Sequence, residues 1–295
     1  MFFSTNHIIY MMIPPAVTIF LYLLFRKSSM NVKKAVVLIV ALLNTLQHVL
    51  KMYIYPQYAG DTFLARGTAY NMCAFLILAS PLVLLIGSQL WQNFFFYIGS
   101  IAGFASICVT YWLKEPMEEQ LRFVICHGML FVSSFLPWLF GIYKINYRKC
   151  WRLPFVFYMI LSILIVNDTI VYILAFTGQT WQSDLLTYLI AQNPCWAMVP
   201  PVNYPFVEAL VAPFTPSIFL SSKGGVTTPI LWFAIPLFIL ITVVGFLLGV
   251  ILDNKNFKKD MKLLKEKLSH KKYKKEVYLI SGKPIGKSKN DNNDN

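Results

Sequence analysis

Charge is scarce in this chain: Asp, Glu, Lys and Arg make up only 13% of its 295 residues. Average chains carry about a quarter, so there is too little charge to cover a soluble surface. Cysteine is scarce too. The chain has five, an odd number, with no CxxC or CxxH pair. That argues against a disulfide framework and a zinc site, and neither a metal nor a cofactor is expected. Residues 1–25 have no basic opening and no small-x-small cleavage site, so they read as a first membrane span rather than a signal peptide. The stretch GKPIGKS (Gly282–Ser288) is one residue short of a phosphate loop, with no strand before it and no helix after it, and is not read as one.

What the chain has is apolar length. Hydrophobic residues make up 57% and aromatics 16%. A spanning helix needs about 20 mostly apolar residues, and seven stretches qualify: Ile8–Phe25, Ala35–Ile54, Thr68–Ser88, Asn93–Trp112, Gln120–Tyr143, Pro154–Phe176 and Pro229–Leu252. The expected fold is an all-α polytopic membrane protein, a bundle of about seven transmembrane helices. The expected organisation is a seven-span domain over 1–252, with a long Pro- and aromatic-rich loop at 177–228, and a basic tail over 253–295. Within the loop, Phe206–Leu220 is apolar but too short and proline-broken to span; it reads as re-entrant, interfacial or a cap over the bundle.

The basic residues set a sidedness. Arg26, Lys27, Lys33 and Lys34 follow span one; Lys144, Arg148, Lys149 and Arg152 follow span five; thirteen Lys follow Leu252. These are 21 of the 26 basic residues, all on one face of a seven-span arrangement. By the positive-inside rule the N-terminus faces outward, the C-terminus is cytoplasmic, and the protein is expected in the plasma membrane. The net charge of +13 is therefore topological, and no nucleic-acid partner is expected. In the tail Phe257, Met261, Leu264 and Leu268 recur at helical spacing among lysines. This reads as an amphipathic helix on the anionic inner leaflet or as a solvated tail. The final SKNDNNDN reads as disordered.

Ionisable groups inside spans are costly and mark function by default. With sidedness set, His7 opens span one on the outer side, and Asn44, Gln47, His48 and Lys51 line the outer half of span two. Asn71 and Cys73 lie in the first turns of span three. Ser106, Cys108 and Thr110 fall near the same depth, as do His127 on span five and Asn167 and Asp168 on span six. The inner halves are nearly free of ionisable side chains. One outward-opening polar cavity is the expectation. Each residue also has a plainer reading: the cysteines as packing, Asn71 as a helix cap, His7 as interfacial, His48 as helix glue. Asp168 is harder to dismiss, because an unpaired acid at that depth costs several kcal/mol or stays protonated.

A thiol at an inward-running helix start is favoured as thiolate by the helix dipole. Cys73 is the candidate nucleophile, His127 the base, Asp168 its orienter, and Asn71 or His7 the oxyanion stabiliser. Such a relay suits acyl transfer on a lipid ester. The stretches AYNMCAFLILASPLVLL, FFFYIGSIAGFASICVTYWL and RFVICHGMLFVSSFLPWLFGIYK resemble the YwaF-like family of bacterial integral membrane proteins. That family is related to an animal multi-span acyltransferase family that remodels ether phospholipids. The likeness covers roughly residues 1–145. It implies a Cys/His acyltransferase-like site at Cys73 and His127, with His7 fitting an early histidine and Asn167 a remnant of a later motif. Asn71 stands where the family has His or Gln.

Two other readings stay open. Polar groups at one depth plus an acid and histidines also describe a proton-coupled carrier of a small substrate, although the inner halves lack polar groups to complete a path and no inverted repeat is visible; His7, Asn71, His48 and Asn167 are the candidate substrate-binding residues. A non-catalytic membrane scaffold is the third.

Overall fold

Ser4 opens the first helix, α1 (Thr5–Phe25), by accepting the His7 backbone N–H on its hydroxyl, the usual way of satisfying an orphan donor at a helix start. This is a computed structural model, and it describes residues 4–55, 67–108, 115–176, 189, 220–223, 226–229 and 234–281. Helix α2 (Met30–Ile54) starts in the same manner at Ser29. Pro14 and Pro15 sit inside α1, and the Thr18 hydroxyl donates to the Pro14 carbonyl at 2.8 Å.

Helix α3 (Met72–Ile86) is shorter than the expected span Thr68–Ser88, and its cap explains why. Asn71 is extended, and its Oδ1 accepts the Ala74 N–H at 2.8 Å. Gly87, at φ 70°, ends the helix in the left-handed region. Fifteen residues reach about 22 Å at 1.5 Å each, short of the roughly 30 Å hydrocarbon core. The next helical body runs from α4 (Gln89–Phe94) through a π turn at Phe95–Gly99 to α5 (Ser100–Cys108). It therefore starts earlier than the expected Asn93. Helix α6 (Met117–Leu139) carries Glu118 and Glu119 in its first turn, where the dipole favours acids. It ends before Gly141, at φ 74°. A 3-10 turn at Tyr147–Arg152 leads into α7 (Leu153–Phe176), one residue from the expected start.

The last span differs from expectation. Pro229 lies in a short antiparallel pair, β1 (Leu220–Lys223) with β2 (Val226–Pro229), opposite Leu220. Helix α8 begins only at Ala234 and runs to Leu252. Proline at a strand end loses no helical hydrogen bond, whereas at a span start it would have to be the first helical residue. Helix α9 (Asn254–Ser281) follows, so the amphipathic tail is helical. Expectations for 177–188 and 190–219, for Trp112 and Thr110, and for the stretch after Ser281 lie outside the described residues.

Helix α6 is the hub: α1, α2, α3 and α5 pack against it. Small residues set how closely. At Gly103 on α5 an added Cβ would lie 2.8 Å from the His127 carbonyl oxygen. At Gly128 on α6 it would lie 3.3 Å from Pro14 Cγ of α1. Close backbone approach through small residues is how apolar helices associate where lipid removes the hydrophobic drive. On the far side, α7 packs against α3, α4 and α8, around a core that includes Leu153, Ile160 and Leu164.

Among the described residues four helical segments are long and apolar enough to cross a membrane: Thr5–Phe25, Met30–Ile54, Met117–Leu139 and Tyr147–Leu174. A fifth is added if the bent pair Phe238–Leu252 and Asn254–His270 is one span. The outer surface agrees with that reading. Leu85 and Ile86 are each 69% exposed, Ile251 67% and Leu174 65%. Apolar cover on that scale would be a liability in water and suits lipid.

Candidate functional site

Several of the expected polar residues are buried between helices and held by main-chain carbonyls. His7 Nε2 meets the Ile107 carbonyl of α5 at 3.0 Å. Asn44 of α2 donates to the Cys126 carbonyl of α6 at 3.0 Å. His48 Nε2 meets the Thr68 carbonyl at 3.3 Å, and His127 Nδ1 meets the Phe123 carbonyl one turn back on α6 at 3.0 Å. All four side chains are buried. A buried polar group left unpaired costs about 1–3 kcal/mol, so these bonds explain how apolar helices accommodate them and also tie α1 to α5 and α2 to α6.

Two groupings stand out. The first lies between α2, α7 and the extended approach to α3. Asn167 donates to the Thr68 hydroxyl at 3.3 Å and to Asp168 Oδ1 at 3.4 Å. The Thr68 carbonyl meets His48, whose ring stacks on Tyr70 with centroids 6.0 Å apart. Tyr70 in turn accepts from Lys51 Nζ at 3.2 Å, and the same ammonium lies 4.6 Å from the Tyr70 ring centroid. Lys51 and Asp168 are each 1% exposed. Among the described residues, Asp168 Oδ2 is buried with no hydrogen-bond partner.

The second grouping surrounds Cys73, in the first turn of α3 and half-buried. Its polar neighbours are the Ser106 side chain on α5 and Cys126 on α6. Asn71 Oδ1 is committed to the Ala74 N–H, which leaves its amide N–H groups uncommitted among the described residues. His127 packs on Phe123 with ring centroids 4.0 Å apart. Because a carbonyl can only accept, His127 carries its proton on Nδ1, and Nε2 is left as the basic nitrogen.

The three residues expected to form a relay thus have different partners: Ser106 for Cys73, the Phe123 carbonyl for His127, Asn167 for Asp168. Among the described residues no hydrogen bond joins any two of the three. The position expected of Asp168, at His127 Nδ1, is filled by the backbone of Phe123. Thr68 and Tyr70 were not foreseen. Their only signal is that both polar side chains fall immediately before the Asn71 cap, in chain that cannot yet be helical. No group of three or more metal-ligating side chains occurs among the described residues. No family model, no curated protein and no solved structure matches the chain.

Proposed function

We propose that this chain is a multi-pass plasma-membrane protein of about seven spans, N-terminus out, related to the YwaF-like family, that transfers acyl groups between membrane lipids through Cys73. The observation that carries the reading is the pairing of a capped helix start with a pre-set histidine. Cys73 sits two residues after the Asn71 cap, in the first turn of α3, where a helix start leaves backbone N–H groups without partners inside the helix. His127 is held by the Phe123 carbonyl in the tautomer that leaves Nε2 as a base.

In this reading His127 Nε2 takes the Cys73 proton as sulfur attacks a lipid ester carbonyl. The uncommitted Asn71 amide faces the developing oxyanion. Collapse breaks the ester C–O bond, and the alcohol oxygen of the departing lysolipid takes the proton from His127. An acyl thioester remains on Cys73. A second lysolipid hydroxyl then attacks it, His127 accepts that proton, a new ester forms, and the proton returns to the thiol. No net oxidation or external co-reactant is involved.

The test is mass spectrometry of the protein after incubation in phospholipid bilayers. A hydroxylamine-labile acyl adduct on Cys73 is expected, absent in Cys73→Ser and formed at least about 100-fold more slowly in His127→Ala, the usual size of a lost base. An adduct that forms equally well without His127, or no adduct at all, refutes the mechanism.

A second reading is favoured by one observation: among the described residues, Asp168 Oδ2 is buried and unpartnered. A carboxyl in that state is a proton-holding group, as a proton-coupled carrier of a small substrate requires. Infrared difference spectra across a pH step would then show a protonated-carboxyl band that vanishes in Asp168→Asn and persists in Cys73→Ser. A band unchanged in Asp168→Asn removes this reading.

A further inference from the structure

The corner between α8 and α9 is built with care for a chain that could simply fray into solvent. The axes of Phe238–Leu252 and Asn254–His270 meet at 97°, so a helix hanging from a membrane span runs nearly parallel to the membrane plane. Asp253 sits at the corner. Its carboxylate accepts from the Tyr147 backbone N–H at 3.3 Å and from Asn256 Nδ2 at 2.7 Å. Two turns along, Asp260 accepts from Arg148 Nε at 2.6 Å, and it also takes bonds from a second Arg148 nitrogen and the Tyr147 hydroxyl. The Tyr147 ring meets Phe257 edge-on, centroids 5.5 Å apart. Both Asp residues and Phe257 therefore lock α9 to the 3-10 turn that precedes α7.

Beyond Phe257, the apolar stripe is exposed. Met261, Leu264 and Leu268 are 47%, 48% and 57% exposed. At about 100° per residue they share an arc of roughly 60°. Lys258 and Lys265 flank that arc on one side and Lys267 on the other, with Lys255, Lys259 and Lys262 behind. We infer that α9 rests on an anionic phospholipid bilayer surface, its Met261–Leu264–Leu268 stripe among the acyl chains and its lysines on the headgroups, held at that angle by Arg148 and Tyr147 gripping Asp260.

The charge pattern selects this occupant over a second copy of the helix. Two such stripes face to face would set lysine flanks against lysine flanks. The acids available to relieve them are few: Asp260 is already engaged by Arg148, which leaves Glu266 within 254–270. An anionic bilayer instead satisfies both features of the helix, since basic residues near such a surface and apolar residues below it bind together. Leu263, 46% exposed, lies off the stripe.

The experiment uses the full chain in lipid nanodiscs, one chain per disc, and follows tryptic cleavage after Lys258, Lys262, Lys265 and Lys267. In discs containing phosphatidylserine, cleavage is expected to be about tenfold slower than in pure phosphatidylcholine, in line with the attraction of several lysines to an anionic surface. The protection should fade as salt shortens the Debye length from about 8 Å towards 3 Å. The double variant Leu264→Asp/Leu268→Asp, which changes only exposed positions, should be cut rapidly in both lipids. Equal rates in the two lipids overturn the inference. So does full protection in the double variant, or protection that arises only when two chains share a disc.

Discussion

Replacing Gly103 by alanine tests whether α6 is the hub the packing implies. The added methyl would lie 2.8 Å from the His127 carbonyl oxygen, 2.8 Å from the Phe131 amide nitrogen and 3.1 Å from Phe131 Cα. Ordinary contact for a carbon is about 3.5–4.0 Å, so α5 must withdraw from α6 by roughly 0.5–1 Å. A gap of that size forfeits about a quarter to a half of each dispersion well along the interface. Overpacking of this kind costs about 1–3 kcal/mol. The upper part applies here because the obstructing atoms are backbone and cannot swing aside. Against it stands the gain of about 1 kcal/mol from alanine over glycine in a helix. The net loss is about 1–2 kcal/mol, or roughly 2–8 °C at 2–4 °C per kcal/mol. Gly128→Ala is the comparator: its nearest obstacle is Pro14 Cγ at 3.3 Å, so its effect should be near zero. Thermal unfolding in one detergent, followed by circular dichroism, reads both. If Gly103→Ala matches the parent, or Gly128→Ala proves the worse of the two, the close α5–α6 approach is not what orders the bundle. The same withdrawal would carry Ser106 away from Cys73, so thioester formation should fall along with stability.

Two further outcomes can be checked in the same preparation. Asn71→Ala removes the cap on the Ala74 N–H and should cost about 1 kcal/mol, while Asn71→Asp keeps an accepting oxygen and most of that stability; equal losses would mean that the cap is not what starts α3. Arg148 and Tyr147 hold the Asp260 carboxyl below the usual carboxylate range, so the clamp stabilises the corner above the unfolded value of about 3.9 and loses hold as pH falls through the lowered folded value. Hydrogen-exchange protection of α9, corrected for intrinsic rates, should be flat from pH 7 to 5 and decline below about 4, and Asp260→Asn should abolish the pH dependence. A decline that survives in Asp260→Asn places its origin elsewhere.

The apolar runs could be read from the sequence because nothing competes with length and hydropathy along Leu153–Phe176 or Thr5–Phe25. Local hydrogen bonds were harder to see. A cap at Asn71 trims α3 to 15 residues, and a residue that reads as part of an apolar run, Pro229, pairs in a strand instead. The site was legible as a level but not as a set of contacts. The sequence places His7, His48, His127 and Asp168 at one expected depth, and the structure gives each its own hydrogen-bond partner. What it could not show is that His7, Asn44, His48 and His127 answer to carbonyls of Ile107, Cys126, Thr68 and Phe123. Every residue carries a carbonyl, so a side chain that bonds one leaves no complementary residue to find. Where side chain meets side chain, as from Asp168 through Asn167 to Thr68, the polar letters were visible and only their order in space was missing.

The π turn at Phe95–Gly99 stores one surplus peptide in the middle of a helical rod. Excising any single residue from it would let the rod rewind to a regular repeat with everything beyond nearly in place; winding the same residues as unbroken α-helix would instead rotate everything beyond by about 100° and slide it by about 1.5 Å. Gly103 would then point away from α6 and Ser106 away from Cys73, with every apolar residue still apolar and the span no less hydrophobic. The chain's phase at this point is thus a quantity separate from its composition, and one that a count of hydrophobic letters cannot register.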